Sequence, residues 1–568
     1  MRREVPPTVL GWLRDCSTEA LDEKLVPGAN EKERMRLAAL GGLAQALNAT
    51  DDDLLPAGVW SWFADGPKPP EDIAKAAREW AAADPDAALA SLYAALVARG
   101  NRRTLGTFFT PSAEARLMLQ MWSSGQEDPD EVIDIGAGVG VFTAAARAAW
   151  ESARIVAVDI NPVTLGLLAL HPQVASHLRA PGDPRPGIEL VLDDFTKWVS
   201  SEAPSTARRL YLGNPPYTRA QLLPRGERVR LQEEVSELCG GRSSLSTVIT
   251  ALCLLQMRPE DGLCLLLPAQ WLESDYARPL RRHLWGQRQR RVELRLVDSG
   301  LFVDAQVDAV ALLVGAVSDA PQALAVGAFE GALREVDREG ANPISWRALF
   351  QVAPQAPTQQ VSAKPTTLGD LAQVRRGMAT GANAFFLLNL ATIRDHDVPG
   401  EVLRPVVRRL NDIGDAVSHQ LFDDVDAIEP RFVLVATEDD RRKHDALDTY
   451  LKVGEKQKFD QRELCSRRDV WFDVNHDVFV PHVIITAMTR DKFRIVTNDA
   501  EAIITNNLYG WRWKATTSDT TRARIITWLR SDEGQAALRS AARSQGDGLF
   551  KLEPRALRDL RLPPQPPN

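Results

Sequence analysis

Hydrophobic positions change their rhythm along the chain. Over residues 1–100, Ala- and Leu-rich stretches (MRLAALGGLAQALNA, DAALASLYAALVARG) alternate with polar breaks at Asp51-Asp52-Asp53 and Pro67 to Pro70, which predicts helices. From about residue 130 short apolar runs alternate with helical segments. The runs are VIDIG (132–136), RIVAVDI (154–160), IELVL (188–192), RLYLGN (209–214), LCLLLP (263–268), VELRLVD (292–298) and VDAVALLVG (307–315). Runs of this kind joined by helical crossovers predict an α/β fold, a parallel-rich sheet with helices on both faces. The last two runs have a short connection, which predicts an antiparallel closing hairpin. The stretch APQAPTQQVSAKPTT (353–367) has the composition of a linker. About 200 residues of mixed strand and helix signals follow it. The boundaries drawn are a helical region 1–100, a domain 101–330, a linker 331–365 and an α+β domain 366–568.

Composition narrows the class. The 568 residues are 44% hydrophobic and 25% charged, the balance of a globular chain. No apolar run approaches the ~20 residues of a membrane span, and MRREVPPTVLGW lacks the apolar core of a secretory signal. Five scattered cysteines without a CxxC pair argue against a disulfide scaffold or zinc site. A cytoplasmic protein without a metal or a membrane partner is expected. Charge is uneven: residues 1–100 carry 11 Lys and Arg against 16 Asp and Glu, whereas 361–568 carry 31 against 30. Phosphate contact needs only a local basic face, so the net charge of -8 does not exclude DNA.

Two segments carry chemistry. The first, Val132 to Gly140, is a strand running into the turn Gly136-Ala137-Gly138-Val139-Gly140, and glycines there let a ligand approach the backbone closely. The spacing differs from the dinucleotide fingerprint, and Asp134 before the glycines suits a ligand with a cationic amino-acid end. Asp159 closes the next strand, where it can accept from ribose hydroxyls. Asp194 closes the one after, and Phe195 can lie against an adenine ring. Three acids at successive strand ends describe a pocket for S-adenosylmethionine.

The second segment is Gly213-Asn214-Pro215-Pro216-Tyr217, at the carboxyl edge of the predicted sheet, where ligands bind in such folds. The Asn214 carbonyl and a proline-fixed backbone carbonyl at Pro215 can accept both hydrogens of an exocyclic amine and steer its lone pair toward an electrophile. Tyr217 offers a face for a planar ring. Catalysis of this kind rests on alignment and on acceptors for a developing positive nitrogen. A base in a duplex must be flipped out to reach it, at a cost of a few kcal/mol.

With these motifs the chain resembles the amino-methylating DNA methyltransferases, in particular the gamma group typified by the TaqI adenine enzyme. The order is Phe109-Thr110-Pro111, glycine loop, Asp159, Asp194-Phe195, NPPY, then LLLPAQWLESDYARPLRRHL and LVDSGLFVDAQVDAVALLV. The resemblance implies a Rossmann-like class I methyltransferase sheet and S-adenosylmethionine held by Thr110, Asp134, Gly136, Gly138, Asp159, Asp194 and Phe195. It implies a base held by Asn214, Pro215, Tyr217 and Phe302. LAQVRRGMATGANAFFLL (371–388), TNNLYGWRW (505–513) and GDGLFKLEPRALRDLRLP (546–563) resemble the target-recognition domain of that type, with Arg375, Arg376 and Lys551 as candidate DNA contacts. The expected function is adenine-N6 methylation of double-stranded DNA in a restriction-modification or phage-defence system, with a separate nuclease as a plausible partner.

Two other classes stay open at this point. NPPY also occurs in methyltransferases acting on RNA or on a protein glutamine, usually shorter and without a long domain after the core. A DNA-binding scaffold subunit could retain the fold, although an intact NPPY and all three acids speak against decay. No nuclease cluster is evident, since Asp15, Glu23 and Lys24 sit in a helical context.

Overall fold

The computed structural model of the chain describes residues 4–563, apart from 24, 27, 49, 99–100, 102–108, 202–204, 219–222, 242, 298–307, 344, 351–365, 412, 424–428 and 545–548. The chain forms two units, Met1–Ala356 and Pro357–Asn568.

The first unit begins with the helices Pro7–Asp15, Glu31–Leu47, Ala57–Ala64, Glu71–Ala82 and Pro85–Leu96. Local chemistry starts them. Asn30 and Glu33 form a capping box, and Asp84 caps a helix that opens on Pro85. Their buried faces, with Val9, Leu37, Val59, Phe63 and Leu92, share one core with Phe142, Ile155, Leu165 and Leu168 of the sheet domain. Contact is close: a Cβ on Gly166 would stand 2.4 Å from the Trp62 ring, and one on Gly58 2.5 Å from Leu192.

The sheet has nine strands: β1 Glu131–Ile135, β2 Arg154–Asp159, β3 Gly187–Leu192, β4 Arg209–Gly213, β5 Gly262–Pro268, β6 Arg290–Val297, β7 Ala309–Val317, β8 Leu324–Ala328 and β9 Arg334–Glu335. Their order is β3-β2-β1-β4-β5-β7-β6-β8-β9. The five strands β3 to β5 run parallel, and β7 enters antiparallel between β5 and β6. The expected hairpin and the expected α/β class are therefore present. Alternation along each strand feeds two cores. Val132, Ile155, Cys264 and Leu266 face the side that the N-terminal helices cover. Ile133, Val156, Leu263 and Leu265 face helix Leu245–Gln256 and helix Arg278–Gly286. Burial on both sides is why these strands read as continuous apolar runs.

One boundary differs from expectation. Residues from 331 read as linker, yet β9 pairs with β8, and Trp346 is fully buried between Trp271 and Trp285, at ring centroid distances of 6.0 and 6.2 Å. A single large apolar side chain inserted into the core holds a polar-looking stretch in place.

The second unit is mixed α+β. A five-stranded sheet places Leu508–Trp513 between Ala372–Arg376 and Val483–Thr486. Trp511 and Trp513 pack with Leu529, Leu538 and Leu557 beneath it. Helices Asp519–Arg530 and Asp532–Ala541 are capped by Ser518 and Ser531. A separate aromatic cluster surrounds Phe385, stacked on Tyr450 at 4.7 Å.

Candidate active site

Strand order reverses between β1 and β4, and the carboxyl ends of these two strands carry both chemical motifs. After β1 the chain turns through Gly136, Gly138 and Gly140 at φ 64°, 57° and 87°, values that favour glycine. The amides of Gly136 and Ala137 donate to the Val158 carbonyl, and that of Gly138 donates to Asp159 Oδ2 at 2.7 Å. Asp159 Oδ1 accepts from the Asn161 amide at 2.8 Å and the Thr164 hydroxyl at 3.3 Å. Burial still pushes the Asp159 carboxyl above its ordinary range, against these bonds.

Asp134 lies inside β1, fully buried. The Thr143 hydroxyl donates to its Oδ2 at 2.5 Å, while Oδ1 is buried and meets no hydrogen-bond partner among the described residues. Desolvation pushes this carboxyl up to about 7, reinforced by the nearby charge of Asp159 and opposed by Thr143. Asp194 accepts from both the amide and the hydroxyl of Thr196 at 2.8 Å, at the start of helix Phe195–Ser201. Phe195 is buried, its ring 6.0 Å from Trp198.

The NPPY loop leaves β4 through Gly213, at φ 138°, where a Cβ would stand 2.7 Å from the Ile135 carbonyl. This close approach sets the two motifs side by side: a Cβ on Gly136 would lie 3.8 Å from Pro216. Asn214 Nδ2 donates to the Thr110 hydroxyl oxygen at 3.2 Å. Pro215 is buried. The Tyr217 hydroxyl donates to the Leu266 carbonyl at 3.4 Å, and burial raises its phenol above the ordinary value. Two helices follow, Arg225–Glu234 and then Leu245–Gln256, which begins under a Ser244 cap.

A cavity of about 230 Å³ opens over these strand ends. Gly136, Gly138, Asp159, Asp194, Phe195 and Asn214 line it, so six residues singled out in the sequence converge. Thr110, Asp134, Pro215 and Tyr217 are not among its lining residues; Thr110 reaches it through Asn214. Phe302 lies outside the described residues. Phe109, from the Phe109-Thr110-Pro111 motif, also lines the cavity, as do Ile160, Asn161 and Leu25, which sequence reasoning did not assign. Ile160, directly after the acidic strand end, is 66% exposed at the cavity.

The basic candidates belong to the second unit. Arg375 is exposed and sits over the Phe479 ring at 5.7 Å, with Arg512 over the same ring at 5.4 Å. Exposed Arg376 donates to the Asn506 carbonyl at 2.9 Å. Lys551 is half-buried and pairs with Glu553 at 3.0 Å, so part of its charge is already answered.

Residues 350–568 match the model of the C-terminal domain of the Type II methyltransferase M.Eco57I. The Type II methyltransferase M.XamI of Xanthomonas campestris pv. amaranthicola is 24% identical over 474 residues, 81% of this chain and 85% of its own length. Over most of its length the chain is similar to this Type II methyltransferase. M.AccI of Acinetobacter calcoaceticus is 21% identical over 501 residues, covering 82% of this chain and 86% of the relative. Among solved structures, the Type IIL restriction-modification enzyme MmeI in complex with DNA has a TM-score of 0.52 at 13% identity, over 98% of this chain and 80% of that one. The DrdV–DNA complex has a TM-score of 0.52 at 10% identity, over 93% and 64%. These two likenesses are of fold.

Proposed function

We propose that this chain is a site-specific DNA methyltransferase that transfers a methyl group from S-adenosylmethionine to N6 of a flipped-out adenine, within a restriction-modification or phage-defence system. The observation that carries the reading is the convergence of the glycine loop and Asn214 on one cavity at the point where strand order reverses. The match of residues 350–568 to a domain of a Type II methyltransferase favours DNA over RNA or a protein glutamine. Cytosine N4 is the alternative amine, but in the enzymes this chain resembles that activity more often carries serine at the position of Asn214, which favours adenine.

The residues fit the proposed cofactor. The glycine turn exposes backbone to the cavity, Asp159 and Asp194 bring carboxylates to its wall, and Asp134 holds a buried oxygen with no described partner. S-adenosylmethionine, when bound, supplies an electrophilic methyl on a sulfonium. The chain's own part is to hold and align. Asn214 Oδ1 and the Pro215 carbonyl accept the two amine hydrogens and favour positive charge on the nitrogen as it forms its new bond. Thr110 fixes the Asn214 amide. Tyr217 gives the base a face to rest on, and Arg375 and Arg376 contact DNA.

Long-read sequencing of genomic DNA from cells expressing the wild-type chain or Asn214→Ala tests the reading. Modified adenine in one short context, absent from the mutant, is expected. An unmodified genome, with tritiated methyl appearing in RNA or protein pools instead, would overturn it.

A further inference from the structure

The helices of residues 7–96 have their own rhythm in the sequence, yet they reach the walls of the cavity. Tyr93, buried on helix Pro85–Leu96, meets Phe109 edge to face, with centroids 5.8 Å apart and planes at 88°. Asn161 Nδ2 donates to the Tyr93 hydroxyl at 3.3 Å. Phe109 and Asn161 both line the cavity, one ahead of the glycine loop and one after β2, so a single N-terminal side chain braces two separate parts of its wall. Buried Glu33 ties the same region to the approach to Phe109, accepting from the Ala98 amide and from Asn101 Nδ2, each at 2.6 Å. Leu25, between the first two helices, lines the cavity itself and is 39% exposed.

We propose that the N-terminal region is a working part of the cofactor site: Leu25 contacts the adenosyl portion of bound S-adenosylmethionine, and Tyr93 is a positioning residue that sets Phe109 and Asn161. This rests on the reading of the cavity as an S-adenosylmethionine site. Leu25 and Ile160 are, among the described residues, its two exposed aliphatic side chains, on a lining that also carries Phe109, Phe195 and Leu223. An exposed apolar pair in a concave site suits a flat, weakly hydrated ring, while a charged amino-acid end is better served by the polar wall. Asn161 also accepts from the Val163 amide through its Oδ1 at 2.9 Å. The Tyr93 hydroxyl therefore holds the other end of an amide whose orientation is already set.

Calorimetric titration of the full chain with S-adenosylmethionine, beside thermal midpoints without ligand, tests the proposal. Leu25→Asp is expected to weaken binding about tenfold, with Leu25→Met within about twofold of wild type and both midpoints unchanged. Tyr93→Phe keeps the ring on Phe109 and loses the hydroxyl, so a loss of about threefold at an unchanged midpoint is expected. Wild-type affinity in Leu25→Asp overturns the contact, and wild-type affinity in Tyr93→Phe overturns the positioning. Equal losses in Leu25→Asp and Leu25→Met, with lowered midpoints, assign a folding role instead and overturn it too. If the wild-type chain does not bind S-adenosylmethionine, the cofactor reading itself falls, a result distinct from these.

Discussion

The side-chain amide of Asn214 donates to the hydroxyl oxygen of Thr110 at 3.2 Å, across 104 residues of chain. Thr110 is buried, and its hydroxyl oxygen holds the nitrogen end of the Asn214 side chain. Thr110→Val removes that acceptor at similar volume. Methyl transfer to DNA should fall about tenfold, with S-adenosylmethionine affinity changed much less and Thr110→Ser close to wild type. Tritiated-methyl incorporation measures the first and calorimetry the second. Losses of equal size in both would place Thr110 on the cofactor instead.

Asp159 is the knot of the glycine turn, accepting from Gly138, Asn161 and Thr164. Asp159→Ala frees three donors and removes a carboxylate from the cavity wall. Cofactor affinity should drop by at least about tenfold and the thermal midpoint should fall, with Asp159→Asn between the two. Unchanged affinity in the alanine variant would remove Asp159 from the site.

Asp134 gives stability a pH dependence. Its ordinary value of 3.8 is raised to about 7 in the folded chain by burial. Between those values the folded chain keeps a proton that the unfolded chain has released. The cost of burying the charge is therefore absent below pH 3.8, grows through the window and is complete above about 7. Asp134→Asn removes the titration, so its midpoint gain over wild type should be larger at pH 8 than at pH 5. A difference independent of pH would show that Asp134 does not titrate there.

Gly140 starts helix Val141–Ala149 at φ 87°, and a Cβ there would sit 2.5 Å from Leu168 Cγ. Gly140→Ala combines backbone strain with a clash against a packed side chain, for a loss of about 2 kcal/mol. Gly286 has open space around it and serves as the control. Urea unfolding of both variants gives the comparison; similar midpoints would mean that the turn relaxes.

Much of the first unit was legible because its chemistry is local. Strands β1 to β7 announce themselves as apolar runs, and the glycine turn, the strand-end acids and NPPY are short motifs set by backbone needs. What the sequence hid depends on distant partners. β8, whose LAVGA run holds small residues, and the two-residue β9 give a weak signal until Trp346 is seen in the core. The Thr110–Asn214 bond and the place of Leu25 on the cavity follow from how segments far apart in the chain are brought together. In the second unit Arg375 and Lys551 read alike as basic residues, but Lys551 pairs with Glu553, whereas Arg375 meets no carboxylate partner among the described residues. Phosphate attraction and ion pairing draw on the same side chains, so composition alone does not separate them.

The interlocking of Gly58 with Leu192 and Gly166 with Trp62 bears on how this molecule can be dissected. A fragment cut at residue 101 would bare to water the face of helix Pro162–Ala169 on which Trp62 and Phe63 lie over Gly166. It would expose an adhesive apolar face and aggregate, however intact its motifs. Residue 101, the natural place to trim on sequence grounds, is the wrong end to shorten.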